Sequence, residues 1–584
     1  MENVNATEVV QQWLQNFNEV ISKNDIPALL ELFVQHGWLR DNLIFTWDHR
    51  SLEGHDAIKK FLSHIDETEP NLTRLSKAKI SDVKLASLYG INPGFTPEHL
   101  LEGTFTFETP IFTGNGYVLL SPPKGEEKSW KAFTLYVTAA ELKGHEEDGA
   151  PIGYYDNHAK TWQEVVAEER RKIEEDPHVI VLGAGHNGLG IGARFRQMRI
   201  PTLLIDKSDR TGDVWRHRYP SLTLHTSKAH HAMLYTQPPS NWPRFTPKDK
   251  VAYMLEHYAT NQELVIWHRS TILPGPVYDP VTKRWTVEVL RDGEKVVLRP
   301  YHIVLAVGVF GPRFVPDLPG VNLFPGDHCH AEQFKGAHHY KGKKVVVVGA
   351  AQTASDICLD LALHDATSVT MVQKTSTIVM SIDLTNKALD KVWPVGVDPV
   401  VGDFRSAGFP FGLAKKFSIA GKDARIAEQK TMLDGLTKAG LKLSEGKEGG
   451  GVPVQIFASG TGVDIGAAEQ IINGRIKIKS GEPERFTKDG LIFKDGSFLE
   501  ADAVVFATGY HPVQHTLNPI FGEELSERIS PAWGLDEEGE TIRNFRPCGH
   551  PGLWWATGGF NNVRYYSKPL AIQIKARLLG LVKD

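Results

Sequence analysis

His178-Val179-Ile180-Val181-Leu182-Gly183-Ala184-Gly185-His186-Asn187-Gly188 is a short apolar strand running into a glycine-rich turn, and a helical pattern follows it. A second apolar strand, Leu203 to Ile205, ends at Asp206. Strand, glycines, helix, strand and acid in this order form a dinucleotide-binding βαβ unit. Each residue has a physical task. Gly183 permits a tight turn, Gly185 lets backbone N–H groups approach a pyrophosphate, and Gly188 lets the helix pack closely on the strand. The helix N-terminus attracts the phosphate charge, and Asp206 accepts hydrogen bonds from an adenosine ribose.

A related pattern returns at Lys343. Val345 to Val348 leads into Gly349-Ala350-Ala351-Gln352-Thr353-Ala354, then a helix, then a strand Ser368 to Val372 ending at Gln373-Lys374-Thr375-Ser376. Here the acid is missing, and a base with hydroxyls suits the 2′-phosphate of NADPH. Gly349, Gln352, Thr353, Lys374 and Thr375 are the candidate contacts. Ala351 and Ala354 stand where the fingerprint has glycines, and the alternative is a Rossmann-like layer that binds nothing. A third strand, Asp502 to Ala507, ends in Ala507-Thr508-Gly509-Tyr510, and an earlier partner, Ile303 to Val307 with Gly308, follows a hairpin turn at Asp292-Gly293. These positions predict an α/β chain with one nucleotide domain inserted in another. The FAD-type domain spans 177–340 and returns over 501–584, and the NADPH-type domain spans 341–500.

Before these units, Val10, Trp13, Leu14, Phe17, Val20 and Ile21 recur at helical spacing. An apolar stretch from Ile26 to Val34 and a helical pattern from Ile58 to Ile65 follow. Beyond Lys77 the period falls toward two, with strand-like runs at Lys79 to Leu85, Thr104 to Glu108, Tyr117 to Leu120 and Trp130 to Thr138, punctuated by Gly114-Asn115-Gly116. Residues 1–150 thus read as an α+β domain whose element order resembles the NTF2-like fold. Trp38, Arg40, Asp41 and Trp47 are candidates to line its pocket, against the alternative that the tryptophans are core and the charges rim. Residues 151–176 read as a linker with one helix, Thr161 to Glu175.

Over 584 residues, 65 Lys and Arg stand against 70 Asp and Glu, which excludes a basic field for nucleic acid and favours a small-molecule partner. No run of apolar residues is long enough to span a bilayer, and no signal peptide opens the chain, so a cytoplasmic protein is expected. Cys329, Cys358 and Cys548 lie too far apart in sequence for a CxxC redox or metal pair. No metal site is expected.

The stretch from Pro177 to Gly580 resembles the flavin-containing monooxygenase family, particularly its fungal and YUCCA-like members. The resemblance rests on the glycine turn; on Gly212-Asp213-Val214-Trp215-Arg216-His217-Arg218-Tyr219 with Leu222 and Leu224-His225; on Phe324, Gly326, His330 and Phe334 in an F-x-G-x-x-x-H-x-x-x-F pattern; and on Ala507-Thr508-Gly509. It implies FAD and NADPH as cofactors, a flavin C4a-hydroperoxide as oxidant, and one oxygen atom delivered to a small organic substrate at nitrogen or sulfur. By resemblance Gly183, Gly185, Asn187, Gly188, Asp206, Lys207, Asp213, Trp215 and Arg218 contact FAD, with Thr508, Gly509 and Asn562 near it from the other side. His225 stands where relatives place an Asn or His beside the isoalloxazine, and it is the candidate catalytic residue, binding the oxygenated flavin or retained NADP⁺, against the alternative of a satisfied structural histidine. His330 reads as a linker residue. Phe334-Lys335 closes the signature where Baeyer–Villiger relatives carry Trp followed by Pro or Asp, which favours heteroatom oxygenation. Ketone insertion and α-keto acid decarboxylation remain alternatives, as does a non-catalytic flavoprotein scaffold. A disulfide reductase would need the absent cysteine pair. The N-terminal domain is expected to cap the site or to mediate homo-oligomer contact.

Overall fold

The computed structural model describes residues 5–68, 81–86, 100–123, 129–446, 448–451 and 461–582. Lys79 and Ile80, the expected start of one strand, lie outside them.

In the N-terminal unit, helices Ala6–Ser22, Ile26–Glu31 and Gly54–Thr68 pack on a six-stranded sheet. Its order is His49–Glu53, Phe33–Asn42, Lys131–Leu142, Phe112–Ser121, Leu101–Glu108 and Ser81–Ala86. The first helix begins where the Asn5 side chain accepts the N–H groups of Thr7 and Glu8, and its buried stripe of Val10, Trp13, Leu14 and Phe17 faces the core. Strand Phe33–Asn42 carries no period-two signature because its C-terminal half is buried on both faces, by helices on one side and the rest of the protein on the other. Gly114 and Gly116 do not mark a turn. They sit inside strand Phe112–Ser121, and a Cβ on either would lie within 2.3 Å of the Phe107 or Phe105 ring, so the aromatic rings fill the glycine positions.

The helix Trp162–Glu175 starts at a Thr161–Glu164 capping box. It packs on the following unit, with Trp267 donating its indole N–H to Glu174 at 2.9 Å. That unit is a parallel sheet in the order Ile266–Trp267, Thr202–Ile205, Val179–Leu182, His302–Leu305 and Leu553–Trp555. The hairpin turn at Asp292-Gly293 is present, both residues with positive φ. A second parallel sheet runs Asp327–His330, Ala503–Phe506, Lys344–Val348, Ser368–Gln373 and Ile476–Ser480.

One expectation is corrected here. Strand Ala503–Phe506 does not rejoin the first sheet but lies inside the second, between Asp327–His330 and Lys344–Val348, and Leu553–Trp555 makes the return. Ala503 and Val505 pack beneath the helix Gln352–Leu363, while Val504 and Phe506 pack on Phe324 and Phe486. A strand buried on both faces fits the centre of either sheet equally well, so its composition does not choose between them.

Residues 382–438 form five helices, of which Pro399–Gly408 and Phe411–Ala420 meet the N-terminal sheet. There Leu100, Tyr117, Leu119 and Tyr136 bury against Ala407, with Phe404, Phe409 and Tyr565 packed alongside. No helix among the described residues is long and apolar enough to cross a membrane.

Candidate active site

The first glycine turn shows why its residues are glycines. Gly183 has φ +108°, and a Cβ there would lie 2.6 Å from the Ala306 carbonyl oxygen; at Gly188 it would lie 1.8 Å from the Gly183 carbonyl oxygen. Gly185 is different. It caps the helix His186–Gln197, and its Cβ position faces open space, so backbone N–H groups at the helix start are accessible to a phosphate. Asp206 accepts the backbone N–H groups of Ala184 at 2.6 Å and Ser208 at 2.8 Å, which fixes its carboxylate at the end of the second strand, beside the turn. Trp215 Nε1 and Asn187 Oδ1 are buried without a hydrogen-bond partner. A cradle closed to side chains, an open helix start, a fixed carboxylate and unpaired buried polar atoms fit FAD.

Three other predicted contacts have hydrogen bonds within the protein. Asp213 accepts hydrogen bonds from Arg216 Nη1 at 3.0 Å and from the Arg210 N–H at 3.2 Å. Burial alone would raise its pKa, but those donors hold it below the ordinary carboxylate value. Asn562 Oδ1 accepts the Gly559 N–H and caps the C-terminal helix Phe560–Leu578. The Thr508 hydroxyl donates to the Phe314 carbonyl. Lys207 is exposed and Arg218 half-buried.

The second turn repeats the geometry. Gly349 has φ +134°, with its Cβ position 2.4 Å from the Ala507 carbonyl oxygen, and Ala351 caps the helix Gln352–Leu363. Gln352 bridges Asp356 and the Val463 N–H, and Thr353 is half-buried at the helix start. Lys374 and Thr375 are exposed at the strand end, where Lys374 pairs with Glu482 at 3.0 Å. An open turn and an exposed base fit the second dinucleotide.

His225 lies on strand Thr223–Ser227. Its Nε2 is buried without a hydrogen-bond partner and lies 3.4 Å from Asp356 Oδ2 on the second unit. Asp356 is occupied by the Tyr219 hydroxyl at 2.6 Å and by Gln352. His330 has a different task. Its Nδ1 accepts the Glu332 N–H, so its proton sits on Nε2 and is donated to the Gly509 carbonyl at 3.0 Å. Burial lowers its pKa, and the ring is a neutral brace between the two strands that leave the second sheet.

On the remaining side, histidines and aromatics form a wall. His186 stacks on Phe560 with centroids 4.3 Å apart and donates to the Gly558 carbonyl, which also receives the Asn187 amide. His231 lies 6.0 Å from Phe560, and Trp393 meets His230 edge-on at 4.9 Å. Burial lowers the pKa of all three histidines, to about 4 for His231 and about 3 for His230, so the wall carries no charge at neutral pH.

In the N-terminal unit the tryptophans belong to the core, as the alternative has it, but the charges are buried and not at a rim. Trp38, Arg40 and Asp41 are buried, and Trp47 stands edge-on to Phe112 at 5.4 Å. Asp41 accepts the N–H groups of Ile44, Phe45 and Thr46, closing a loop; burial pushes its pKa up to about 7 against those bonds. Arg40 reaches out of the sheet to the rest of the chain. It grips Glu540 through two bonds of 2.6 and 2.7 Å, donates to the Ala407 carbonyl, and contacts the Tyr566 hydroxyl at 3.1 Å. Arg546 grips Asp48 in the same way, and Tyr136 and Tyr565 share a hydroxyl hydrogen bond at 2.6 Å.

Sequence reasoning missed His186, His230, Trp393, Asp403 and Arg564. His186 lies within the glycine turn but is no part of its fingerprint. Asp403 and Arg564, paired at 2.5 and 2.7 Å, are 161 residues apart, and no local pattern links them.

Residues 180–389 match the family described as pyridine nucleotide-disulphide oxidoreductase. The three cysteines are all free, so the likeness lies in the nucleotide-binding architecture. The probable indole-3-pyruvate monooxygenase YUCCA3 of Arabidopsis thaliana is 30% identical over 342 residues, covering 57% of this chain and 72% of that protein. Indole-3-pyruvate monooxygenase YUCCA1 of Oryza sativa subsp. japonica is 27% identical over 346 residues, 59% of this chain and 79% of its own. Among solved structures, the open crystal structure of cyclohexanone monooxygenase superposes with a TM-score of 0.50 at 17% identity, over 68% of this chain and 86% of that one. Oxidized steroid monooxygenase bound to NADP gives 0.50 at 16% identity, over 69% and 85%. These superpositions share the fold.

Proposed function

The chain belongs to the flavin-dependent monooxygenase family and is an FAD- and NADPH-dependent enzyme of that kind; from that premise we propose that its substrate is an uncharged organic molecule, oxygenated at nitrogen or sulfur. The observation that carries this reading is the neutral wall of His186, His230, Trp393 and Phe560, which offers aromatic contact and no free charge. The cation at this wall, Arg564, has its guanidinium engaged by Asp403 and by the carbonyls of His230 and Ala232.

When bound, the flavin takes a hydride from NADPH and activates oxygen. The chain supplies the rest. The helix start at Gly185 would hold the FAD pyrophosphate and Asp206 the ribose; the Gly349 turn would hold the NADPH pyrophosphate, with Lys374 and Thr375 at the 2′-phosphate of its adenosine ribose. His225, whose buried Nε2 has no hydrogen-bond partner in the protein, would hydrogen-bond the reacting end of the cofactors. The wall excludes water.

A second reading, oxidative decarboxylation of an α-keto acid, draws on the indole-3-pyruvate monooxygenases among the relatives. Incubating the FAD-loaded protein with NADPH, isotope-labelled oxygen and a panel of thioethers, amines, ketones and α-keto acids separates the two. Label in a sulfoxide or N-oxide is expected. Turnover restricted to α-keto acids would establish the second reading instead, and turnover restricted to ketones would establish ester formation.

Lys374→Ala is expected to raise KM for NADPH by about tenfold while leaving that for NADH unchanged, because a charge-assisted phosphate contact is lost. The exposed pair with Glu482 is a weak competitor, since such ion pairs contribute about 1 kcal/mol or less. Equal changes for both nucleotides would remove Lys374 from the site. The N-terminal unit acts in this reading as a clamp on helices 399–420. Its docking face is occupied within the chain, which favours a clamp over an oligomer contact.

A further inference from the structure

We propose that the buried Arg564–Asp403 ion pair is a positioning pair for oxygenation, holding the loop that carries His230 against the active-site wall and held in turn by the N-terminal unit. The inference rests on the site reading above.

Arg564 projects from the first turns of the C-terminal helix and is 3% exposed; Asp403, on helix Pro399–Gly408, is equally buried. One edge of the guanidinium, Nε and Nη2, meets both oxygens of Asp403 at 2.5 and 2.7 Å. Its remaining Nη1 donates to the carbonyls of His230 at 3.1 Å and Ala232 at 2.6 Å. One rigid planar fork therefore ties three segments distant in sequence, and a lysine ammonium cannot reproduce those directions. Asp403 Oδ1 also accepts the Trp393 indole N–H at 2.9 Å, which stands that ring edge-on against His230. The loop so held follows directly on strand Thr223–Ser227, which carries His225.

A buried ion pair is a poor source of net stability, because desolvation offsets the attraction, but losing one partner is costly and its geometry is exacting. What this pair fixes is a loop whose His230 Nδ1 is buried with no protein partner. Such an atom at a site wall is supplied by a bound molecule.

The other end of helix Pro399–Gly408 belongs to the N-terminal unit. Arg40 donates to the Ala407 carbonyl, and Arg405 lies 3.0 Å from Glu102. A contiguous set of hydrogen bonds and packed side chains thus runs from Arg40 through the helix to Asp403, Arg564 and the carbonyls at 230 and 232.

The test uses full-length, FAD-loaded protein carrying Asp403→Asn, Arg564→Lys or Arg40→Met. Three quantities are read: hydrogen exchange over residues 226–233, the anaerobic rate of FAD reduction by NADPH, and the rate of NADPH oxidation to hydrogen peroxide with no organic substrate present. The pair predicts exchange about tenfold faster in Asp403→Asn and Arg564→Lys, with reduction within about twofold of wild type and peroxide formation several-fold higher. Arg40→Met moves exchange and peroxide in the same direction by less. Unchanged exchange in Asp403→Asn overturns the proposal. So does faster exchange without extra peroxide, or a fall in reduction rate parallel to the rise in peroxide, which marks a general structural role. Failure of the site reading shows elsewhere: His225→Ala would then alter neither FAD reduction nor NADP⁺ retention, whereas the exchange result stands on its own.

Discussion

Gly188→Ala is expected to purify colourless and to fail to take up added FAD, whereas Gly185→Ala is expected to fold normally and to lose affinity for FAD alone. The two glycines are three residues apart, yet they face different neighbours. A Cβ at Gly188 lies 1.8 Å from the Gly183 carbonyl oxygen and 2.9 Å from its carbon, so the helix His186–Gln197 must move off the strand that it covers. That contact involves backbone on both sides, and no side-chain rotation relieves it; the cost belongs with the exceptional substitutions above about 4 kcal/mol. A Cβ at Gly185 meets nothing in the protein within 4 Å, so the apoprotein keeps its stability. What it meets is the pyrophosphate that the helix start receives, and a loss of about tenfold to a hundredfold in FAD affinity is expected from pushing a charge-assisted contact away. Flavin fluorescence titration gives the affinities, and thermal unfolding of the apoproteins gives the stabilities. A Gly185→Ala protein that binds FAD as wild type does would remove the glycine turn from the FAD site.

Arg40→Met is the second large effect. It leaves Glu540, which is 0% exposed, as an uncompensated buried carboxylate, and the first unfolding transition is expected to lose about 3–5 kcal/mol. The double variant Arg40→Met/Glu540→Leu is expected to recover much of that loss, since neither member of this pair is then left buried without its partner. The pair also predicts a pH dependence. Burial alone would raise the Glu540 pKa, but the Arg40 guanidinium and the Ser51 hydroxyl hold it at about 2. The folded value lies below the unfolded one of about 4.3, so this carboxylate contributes stability at neutral pH that is lost as pH falls toward 2. His49 adds to the same acid limb, because burial lowers its pKa to about 4 and it must take up a proton as the interface opens. Glu540→Gln should therefore be less stable at pH 7 and show a flatter decline between pH 5 and pH 2, measured by thermal unfolding across that range. An acid limb identical to that of wild type would contradict the role given to this pair.

The two glycine turns were legible because each depends on backbone that only glycine adopts or admits, at Gly183 with φ +108° and Gly349 with φ +134°. Other features were hidden for reasons that are equally physical. Strand Phe33–Asn42 is buried on both faces over its second half and loses the alternation by which a strand is recognised. Gly114 and Gly116 resemble turn residues, yet they are strand positions filled by Phe107 and Phe105 from the neighbouring strand. Strand Ala503–Phe506 was visible as a strand but not as a member of the second sheet. The site showed the same division. Residues that act through local backbone, such as Asp206 beside its turn, were found. The wall and its Arg564–Asp403 support join segments brought together only by the fold, as does Arg40, which was noticed but placed at a pocket in its own unit.

The measurement closest to the central claim is an anaerobic titration of the FAD-loaded protein with NADPH, followed by isotope-labelled oxygen in the presence of a thioether. The enzyme described here loses its yellow absorbance stoichiometrically with NADPH, regains it with oxygen, and leaves label in the sulfoxide. A bound flavin that stays oxidised under excess NADPH would contradict the account.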